Sequence, residues 1–351
     1  MTTTIVSTYT LGQATLSSMT RTQNELAKLT VESSSGQYAD LGVQLGGQSG
    51  YELSLRNQVS QLQALTTANS LTVTNLKTAQ TAIDAIRSGA QSAVSALTAV
   101  TAGSSGSATS LQNAGTSGLQ SLIDQMNVSS NGDYVFGGIN TGVQPVADYF
   151  SSATSAAKSA IDTAFTTAFG FSPSSASAST ISGSAMQSFL SSATFTSLFS
   201  GTNWTSDWSS ASDTNVSTQT GPGQSTTTST NANQAGFQQL AQAYAMLSEF
   251  GGASLSTDAQ QAVISTATGL INQGTTSLTG TEATLGAAET RVTDSSTAMS
   301  NQLTILQTQV GSLDNVDAEA VATQLSALST QLQTAYQLTA QLQKMNLAQY
   351  L

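Results

Sequence analysis

The 351-residue sequence contains no histidine and no cysteine. Their absence excludes Ser/His/Asp triads, cysteine nucleophiles, disulfide frameworks and zinc sites built from cysteine and histidine. Charge is scarce as well, because Asp, Glu, Lys and Arg together make up 8% of the residues, against about 25% in an average globular domain. Much of ordinary enzyme chemistry is therefore excluded, and the surface is expected to be polar but nearly uncharged.

Positively charged residues are fewer than negatively charged ones. Eight Lys and Arg face 19 Asp and Glu, which gives a net charge of -11 and a pI of about 4.1. Nucleic acid and anionic lipid both require clustered positive charge, and no stretch approaches the ~20 apolar residues of a membrane span. We therefore expect neither nucleic acid nor a membrane as a partner. The N-terminus also lacks the basic start and apolar run of a cleaved signal peptide.

A surface with so little charge suits a subunit that copies of itself cover on several sides. Interface cores are depleted in charge because burying an unpaired ion is costly, whereas hydroxyls and amides find hydrogen-bond partners in a neighbour. The alternative is a secreted protein whose Ser/Thr-rich composition reflects its environment. Composition alone leaves both interpretations open.

Apolar residues recur at steps of three and four over much of the chain, which predicts long helices that pack against other helices. One helix of about twelve turns is expected from Leu55 to beyond Leu97, and a shorter one from about Leu111 to Met126. Two further apolar seams change phase at residues 314–317, where a long helix should break or shift. The first forty residues carry a weaker stripe that needs a partner, since isolated helices are marginal in water.

The middle of the chain differs in composition. Residues 149–208 hold ten of the twenty aromatic residues, and no basic residue occurs between Lys158 and Arg291. Aromatic residues at this density predict a buried core, so we expect a folded insert here. The Ser/Thr-rich stretch 217–233, with its Gly-Pro-Gly sequence, is predicted to be an exposed loop.

Two small groups of residues allow a binding interpretation beside a structural one. Trp204 and Trp208 could form a platform for a sugar, but packing within the insert is the preferred interpretation. Asp314, Asp317 and Glu319 could suggest calcium, yet they lack the glycine and ligand spacing of an EF-hand. Acidic residues at a helix start, facing its positive end, explain them better.

These patterns predict a mainly α fold in which long terminal helices pair in a coiled-coil-like bundle, with a mixed α/β insert at the distal end. We expect terminal assembly helices at residues 1–45 plus 315–351. A helical rod domain should comprise residues 46–148 plus 234–314, with a hairpin at 131–142. The inserted distal domain should cover residues 149–233.

A short motif, NGDYVFGG, begins at Asn131. Asn-Gly favours a type I′ turn and Tyr-Val-Phe favours a strand, so the motif alone predicts a hairpin. Together with the residues that follow, it resembles the motif after the long N-terminal helix in flagellar hook-associated proteins of the FlgL type, the hook-filament junction proteins of the flagellin superfamily. The motif residues that carry this resemblance are Asn131, Gly132, Tyr134, Phe136, Gly137, Gly138 and Pro145.

The C-terminus adds to this resemblance. Its ending, LSALSTQLQTAYQLTAQLQKMNLAQYL, is similar to the family's C-terminal helix, and residues 316–320 are similar to the segment before it. One departure is the segment 36–51, where the family usually has an Asp-Asp-Pro-like loop. The resemblance covers both terminal thirds of the chain.

The resemblance implies a non-enzymatic structural subunit with no cofactor and no catalytic or metal-binding residue. It implies export to the extracellular flagellum through the type III apparatus without a cleaved signal, and an export chaperone bound at the C-terminal helix. Its other partners would be copies of itself, a hook-side junction protein and flagellin. The expected assembly residues are Leu16, Met19, Leu26, Leu325, Leu328, Leu332, Leu342, Leu347, Tyr350 and Leu351.

Two alternatives stay open. The first is a flagellin that forms the filament itself, although the chain lacks the Asn-Gln-x-Pro-Gln-like ending typical of flagellins. The second is a cell-wall hydrolase on a helical scaffold, because 19 acidic residues leave room for the paired carboxylates of a glycosidase. No pair of acids stands out in the sequence.

Overall fold

The computed structural model describes residues 8–151 and 155–344. Contacts divide the chain into two compact units. The terminal unit comprises residues 1–63 and 300–351, and the central unit residues 64–299. These boundaries fall at 63/64 and 299/300 and leave residues 149–233 inside the central unit, whereas the expectation had placed boundaries at 45/46 and 314/315 and a separate insert.

The fold is mainly α, as predicted, with long helices and two small antiparallel sheets. The break expected at residues 314–317 is confirmed, because one long helix ends there and the next begins. The helices are α1 Thr8–Ser35, α2 Leu41–Leu45, α3 Ser49–Ala99, α4 Ser107–Met126, α5 Ala156–Phe169, α6 Gly183–Leu190, α7 Ala193–Thr196, α8 Gly201–Asp207, α9 Ala235–Phe250, α10 Thr257–Asp314 and α11 Ala318–Lys344. The strands are β1 Ser129–Ser130, β2 Asp133–Tyr134, β3 Ser217–Gly221 and β4 Gln224–Thr227.

The core of the central unit is built around α9. Every residue from Leu240 to Ser248 is buried, because α4 packs on one side of this helix and side chains of α3 and α10 belong to the same apolar cluster. A helix that is apolar or small on all faces is stable only when it is surrounded. The run LAQAYAML in α9 satisfies this condition with alanines that allow close packing.

Most aromatic residues of segment 149–208 are buried, as their density predicts, although Phe169 and Phe171 are partly buried and Phe150 is exposed. Their rings form a continuous cluster that also includes Phe250 at the end of α9, which lies 5.2 Å from Phe165 between ring centroids. Trp204 and Trp208 stack on each other at 5.5 Å and are 0% and 3% exposed. The sugar-platform interpretation is therefore wrong, and these indoles belong to the core.

The exposed loop predicted at residues 217–233 is also wrong. β3 and β4 form an antiparallel hairpin there, exposed around its turn at residues 222–225, whereas Thr220, Gly221, Thr228 and residues 230–232 are buried. Thr220 is 2% exposed, and its carbonyl accepts hydrogen bonds from Asn69 Nδ2 at 2.8 Å and Ser295 Oγ at 2.6 Å. Threonine favours strands, and these helix side chains satisfy the backbone that a loop would leave to water.

Candidate assembly surface

In the terminal unit, α1 and α11 pack as an antiparallel pair. Gln23 Nε2 donates to the hydroxyl of Tyr336 at 2.9 Å, and Thr339 Oγ1 lies 3.4 Å from Met19 Sδ. Leu29, at 3% exposed, is the most deeply buried apolar side chain of α1 among the described residues. On α11, Val321 is buried as well, at 6% exposed. The described residues of the pair therefore include one buried apolar side chain on each helix, and most of its other apolar side chains are half-buried or exposed.

The other end of this pair is held by backbone hydrogen bonds between residues 36–38 and 314–316. The amide of Tyr38 donates to the carbonyl of Asp314, and the amide of Val316 donates to the carbonyl of Gly36, each at 3.0 Å. Asp317 Oδ1 accepts from the amides of residues 319 and 320, so it caps α11. This confirms the helix-start interpretation for Asp317.

A buried carboxylate stabilises the same junction. Asp314 is 0% exposed, and its Oδ2 accepts a hydrogen bond from Arg56, which also donates to Glu52 one turn earlier in α3. The hydrogen bond to Glu52 and the charge of Asp314 raise the pKa of Arg56, so the guanidinium stays protonated. A buried carboxylate requires such a countercharge. Asp314 Oδ1 has no hydrogen-bond partner among the described residues.

Apolar side chains are exposed mainly on the terminal unit. This unit holds about a third of the chain, yet it carries eight of the twelve large hydrophobic residues that are exposed in the described ranges. Between Glu319 and Lys344, α11 has no charged residue. Apolar surface combined with the absence of charge is typical of a surface that another protein covers. The eight are Leu16, Val31, Val43, Tyr51, Leu53, Ile305, Tyr336 and Leu338.

The predicted assembly residues occupy different positions on this unit. Leu16 is 55% exposed, whereas five others are half-buried along the α1/α11 pair: Met19, Leu26, Leu325, Leu328 and Leu332. Leu342 lies in α11, but its side chain is outside the described part of the structure. Leu347, Tyr350 and Leu351 lie outside the described residues altogether.

The motif that begins at Asn131 lies in the central unit, where it makes structural contacts. Asn131 and Gly132 have φ angles of 54° and 92° and form the turn between β1 and β2, as their sequence predicts. The paired strands are only two residues each, at 129–130 and 133–134, so the hairpin is shorter than the expected 131–142. Phe136 is 0% exposed and packs edge-on against Phe237 at 5.3 Å.

The second half of the motif connects to residues 208–214. Gly138 has a φ of 60°, and an added Cβ would lie 2.4 Å from the carbonyl oxygen of Ser212. The amide of Ser212 donates to the carbonyl of Gly137 at 3.0 Å, and the amide of Ser210 donates to that of Pro145 at 2.9 Å. Glycine is therefore required where two backbone segments meet, and the motif holds these segments together.

Several residues of the terminal unit were not among the predicted assembly residues. The pairing of Glu52 with Arg56 is readable from their spacing of four, but its third member, Asp314, is 258 residues away from Arg56. Val43 is 78% exposed in the short helix α2, which follows Asp40 as its N-cap. A helix of five residues carries too little periodicity to reveal its exposed face.

Two family matches coincide with these elements. The bacterial flagellin N-terminal helical region matches residues 6–141, and the bacterial flagellin C-terminal helical region matches residues 268–351. Together they span well over half of the chain and include α1, α3, α4, α11 and most of α10. The chain therefore belongs to the flagellin superfamily. No curated protein and no solved structure matched it.

Membership defines the general role of the chain. It is a structural subunit of the bacterial flagellum, and the family's property of polymerising accounts for the exposed apolar residues of the terminal unit and for the uncharged stretch of α11. The family is structural rather than enzymatic, so it gives no support to the cell-wall hydrolase alternative. Within the described ranges, no helix combines the length and the hydropathy needed to cross a bilayer.

Proposed function

We propose that the chain is a hook-filament junction protein that polymerises through its terminal helices and links the hook to the filament. The observation that supports polymerisation is the concentration of exposed apolar residues on the terminal unit. The choice of the junction rests on NGDYVFGG and on the ending NLAQYL, which resemble the junction family. The proposed partners are further copies of the chain, a hook-side junction protein and flagellin.

Assembly would complete the burial of the terminal helices. Fully burying one Leu or Val contributes about 1.5 to 3 kcal/mol, whereas ordering each residue's backbone costs about 1 to 2 kcal/mol. The α1/α11 pair has few deeply buried side chains, so contacts with several neighbours would have to offset this cost. The proposed contact residues are Leu16, Met19, Leu26, Leu325, Leu328, Leu332 and Leu342, with Leu347, Tyr350 and Leu351 of the tail.

Hydrogen exchange tests this coupling between assembly and order. In the monomer, the amides of α1 and α11 should exchange much faster than those of α9, whose side chains are almost all buried. After polymerisation, the amides of α1 and α11 should become protected while those of α9 change little. Equal protection of α1, α9 and α11 in the monomer would contradict the proposal.

The second candidate function is a flagellin that forms the filament itself. The two family matches, to the N- and C-terminal helical regions of bacterial flagellin, are compatible with it as they are with the junction protein. The flagellin candidate is disfavoured by the ending of the chain, which lacks the Asn-Gln-x-Pro-Gln-like stretch typical of flagellins. The two candidates use the same terminal helices. They differ in the location of the polymer, at the hook-filament junction or along the filament, and in its length.

Immunogold electron microscopy separates the two candidates. The epitope tag belongs between Pro222 and Gly223, because both residues are exposed at the turn of the β3–β4 hairpin. Motility of the tagged strain, compared with the untagged one, controls for damage by the tag. Gold at a single band between hook and filament supports the junction protein, whereas gold along the filament makes the chain a flagellin. Expressed protein with no flagellar label contradicts both.

Export would precede assembly. We infer that the chain leaves the cell without a cleaved signal and that a chaperone binds its C-terminal helix beforehand. The uncharged, partly apolar face of α11 offers such a partner a surface. A pull-down with residues 318–351 from cells that cannot export flagellar proteins should capture the chaperone, and residues 235–256 of the central unit serve as the control bait. Equal capture by both baits would count against the inference.

A further inference from the structure

The central unit contains a polar cleft of about 470 Å³ between α4, α5 and the C-terminal end of α9. This volume lies within the range of small-molecule sites. Hydroxyl and amide groups line much of the cleft, including Gln112, Thr116, Ser174 and Ser248. It involves neither the terminal unit nor the assembly residues, so polymerisation leaves its chemistry unexplained.

An ion pair forms one wall of the cleft. Lys158 is the only basic residue between Arg87 and Arg291, and its Nζ donates to both carboxylate oxygens of Glu249, at 2.9 and 3.0 Å. The hydroxyl of Tyr149 donates to the same carboxylate at 2.9 Å. Glu249 is thus committed to protein partners, while Lys158 keeps one N–H without a hydrogen bond to a described residue.

A second carboxyl group lies beside this pair. Asp162 follows Lys158 by one helical turn in α5 and lines the cleft, and it makes no hydrogen bond or ion pair within 4 Å with another described residue. Burial, together with the nearby charge of Glu249, raises its pKa. Asp162 therefore presents oxygen atoms to the cleft that accept no hydrogen bond from a described residue, although the charge of Lys158 acts on them.

An aromatic ring completes the lining. Phe150 is 37% exposed, and its ring stands edge-on to that of Tyr149, with a centroid distance of 5.1 Å. The neighbouring aromatic residues of the core are much more buried. The cleft thus combines an exposed apolar face with convergent hydroxyl, amide, carboxyl and ammonium groups, the mixture that binds a small polar ligand with an apolar side.

The charges of the cleft select among classes of ligand. An anion would be repelled by the carboxyl groups of Asp162 and Glu249. A metal cation would be repelled by the ammonium of Lys158, and Glu249 is already paired with that ammonium. The described residues contain no group of three or more acidic side chains that could hold a metal ion. A neutral, hydroxyl-rich ligand avoids both repulsions and can donate to Asp162 while accepting from Lys158. We propose that this cleft is a binding site for a neutral sugar of about monosaccharide size.

Saturation-transfer NMR and calorimetry on the full chain test this proposal. The probes are D-glucose, D-galactose, D-mannose and N-acetyl-D-glucosamine, with inorganic phosphate and calcium chloride as ionic probes. At least one sugar should bind saturably, with a dissociation constant in the millimolar range or tighter. The failure of all four sugars, or tighter binding of phosphate or calcium, would overturn the proposal.

Variants locate the binding. Asp162→Ala and Phe150→Ala should each weaken sugar binding by about tenfold or more, without loss of the cooperative thermal transition. The matched control is Asp124→Ala, which removes an exposed acid of α4 outside the cleft lining. Equal binding by all three variants would place the sugar elsewhere and refute the site. If Phe150→Ala fails to fold, Asp162→Asn keeps the size of the side chain and should still weaken binding.

Discussion

Substitution of Gly115 by alanine should destabilise the central unit. Gly115 lies on α4 at its contact with α9, and an ideal Cβ there would stand 2.2 Å from the amide nitrogen of Ser248 and 2.6 Å from the carbonyl carbon of Leu247. Both atoms belong to helix backbone, which no rotamer change can move aside. The two helices must therefore separate by about an ångström before a methyl group fits.

The size of the effect follows from two opposing contributions. Alanine is intrinsically better than glycine inside a helix by about 0.5 to 1 kcal/mol. Overpacking a rigid contact costs about 1 to 3 kcal/mol, occasionally more, and here it disturbs the closely packed pair α4 and α9. We expect a net loss of about 1 to 2 kcal/mol, which corresponds to a fall in Tm of about 2 to 8 °C for a unit of this size.

Gly280→Ala is the matched control. Gly280 lies within α10 in the same unit, is exposed, and has no atom within 4 Å of an added Cβ. The substitution should stabilise by about 0.4 to 1 kcal/mol, because it removes only conformational freedom of the unfolded chain. Urea denaturation and calorimetry should show a loss of stability for Gly115→Ala and a gain for Gly280→Ala. A Gly115→Ala protein as stable as the parent would refute the close approach of α4 and α9.

Three further predictions concern other parts of the chain. Leu29→Ala should lower the stability of the α1/α11 pair by about 2 to 5 kcal/mol, measured by hydrogen exchange. Leu16→Ala should change the stability of the monomer by no more than about 0.5 kcal/mol, but it should slow polymerisation, which light scattering follows. Arg56→Met removes the countercharge of the fully buried carboxylate of Asp314, so amide exchange at the junction of residues 36–38 and 314–316 should accelerate. Arg21→Met is the control: the hydrogen bonds of Arg21 stay within α1, so its loss should leave exchange at this junction unchanged. Burial raises the pKa of Tyr244 to about 12, so its contribution to stability is complete below about pH 10 and is lost as the unfolded phenol ionises between about pH 10 and 12. Burial raises the pKa of Tyr149 as well, so Tyr244→Phe should reduce, without abolishing, the loss of stability that urea denaturation measures over this pH range.

Each of these predictions has an outcome that would contradict it. Equal losses of stability for the two leucine variants would show that α1 is buried evenly along its length. Unchanged exchange in Arg56→Met would mean that backbone hydrogen bonds alone hold the junction. A stability that rises between about pH 10 and 12 would reverse the sign worked out for a buried phenol.

Local sequence determined several of the long helices and the break between two of them. Apolar steps of three and four predicted α3, α4, α10 and α11, because a helix repeats every 3.6 residues regardless of its partners. The phase change and acidic residues at 314–317 predicted the break, where Asp317 caps the next helix. The absence of histidine and cysteine excluded whole classes of site, because no fold can place a side chain that the chain does not contain.

Tertiary structure alone decided which apolar residues are buried and which segments pair. Leu16 and Leu29 belong to the same stripe, yet they are 55% and 3% exposed, because burial depends on the partner helix as well as on spacing. The Ser/Thr-rich segment 217–227 forms a hairpin because its backbone hydrogen-bonds to side chains about 75 and 150 residues away. Lys158 and Glu249 meet although 91 residues separate them. Local periodicity cannot encode these pairs, since contacts across long stretches of chain form only when the whole core packs.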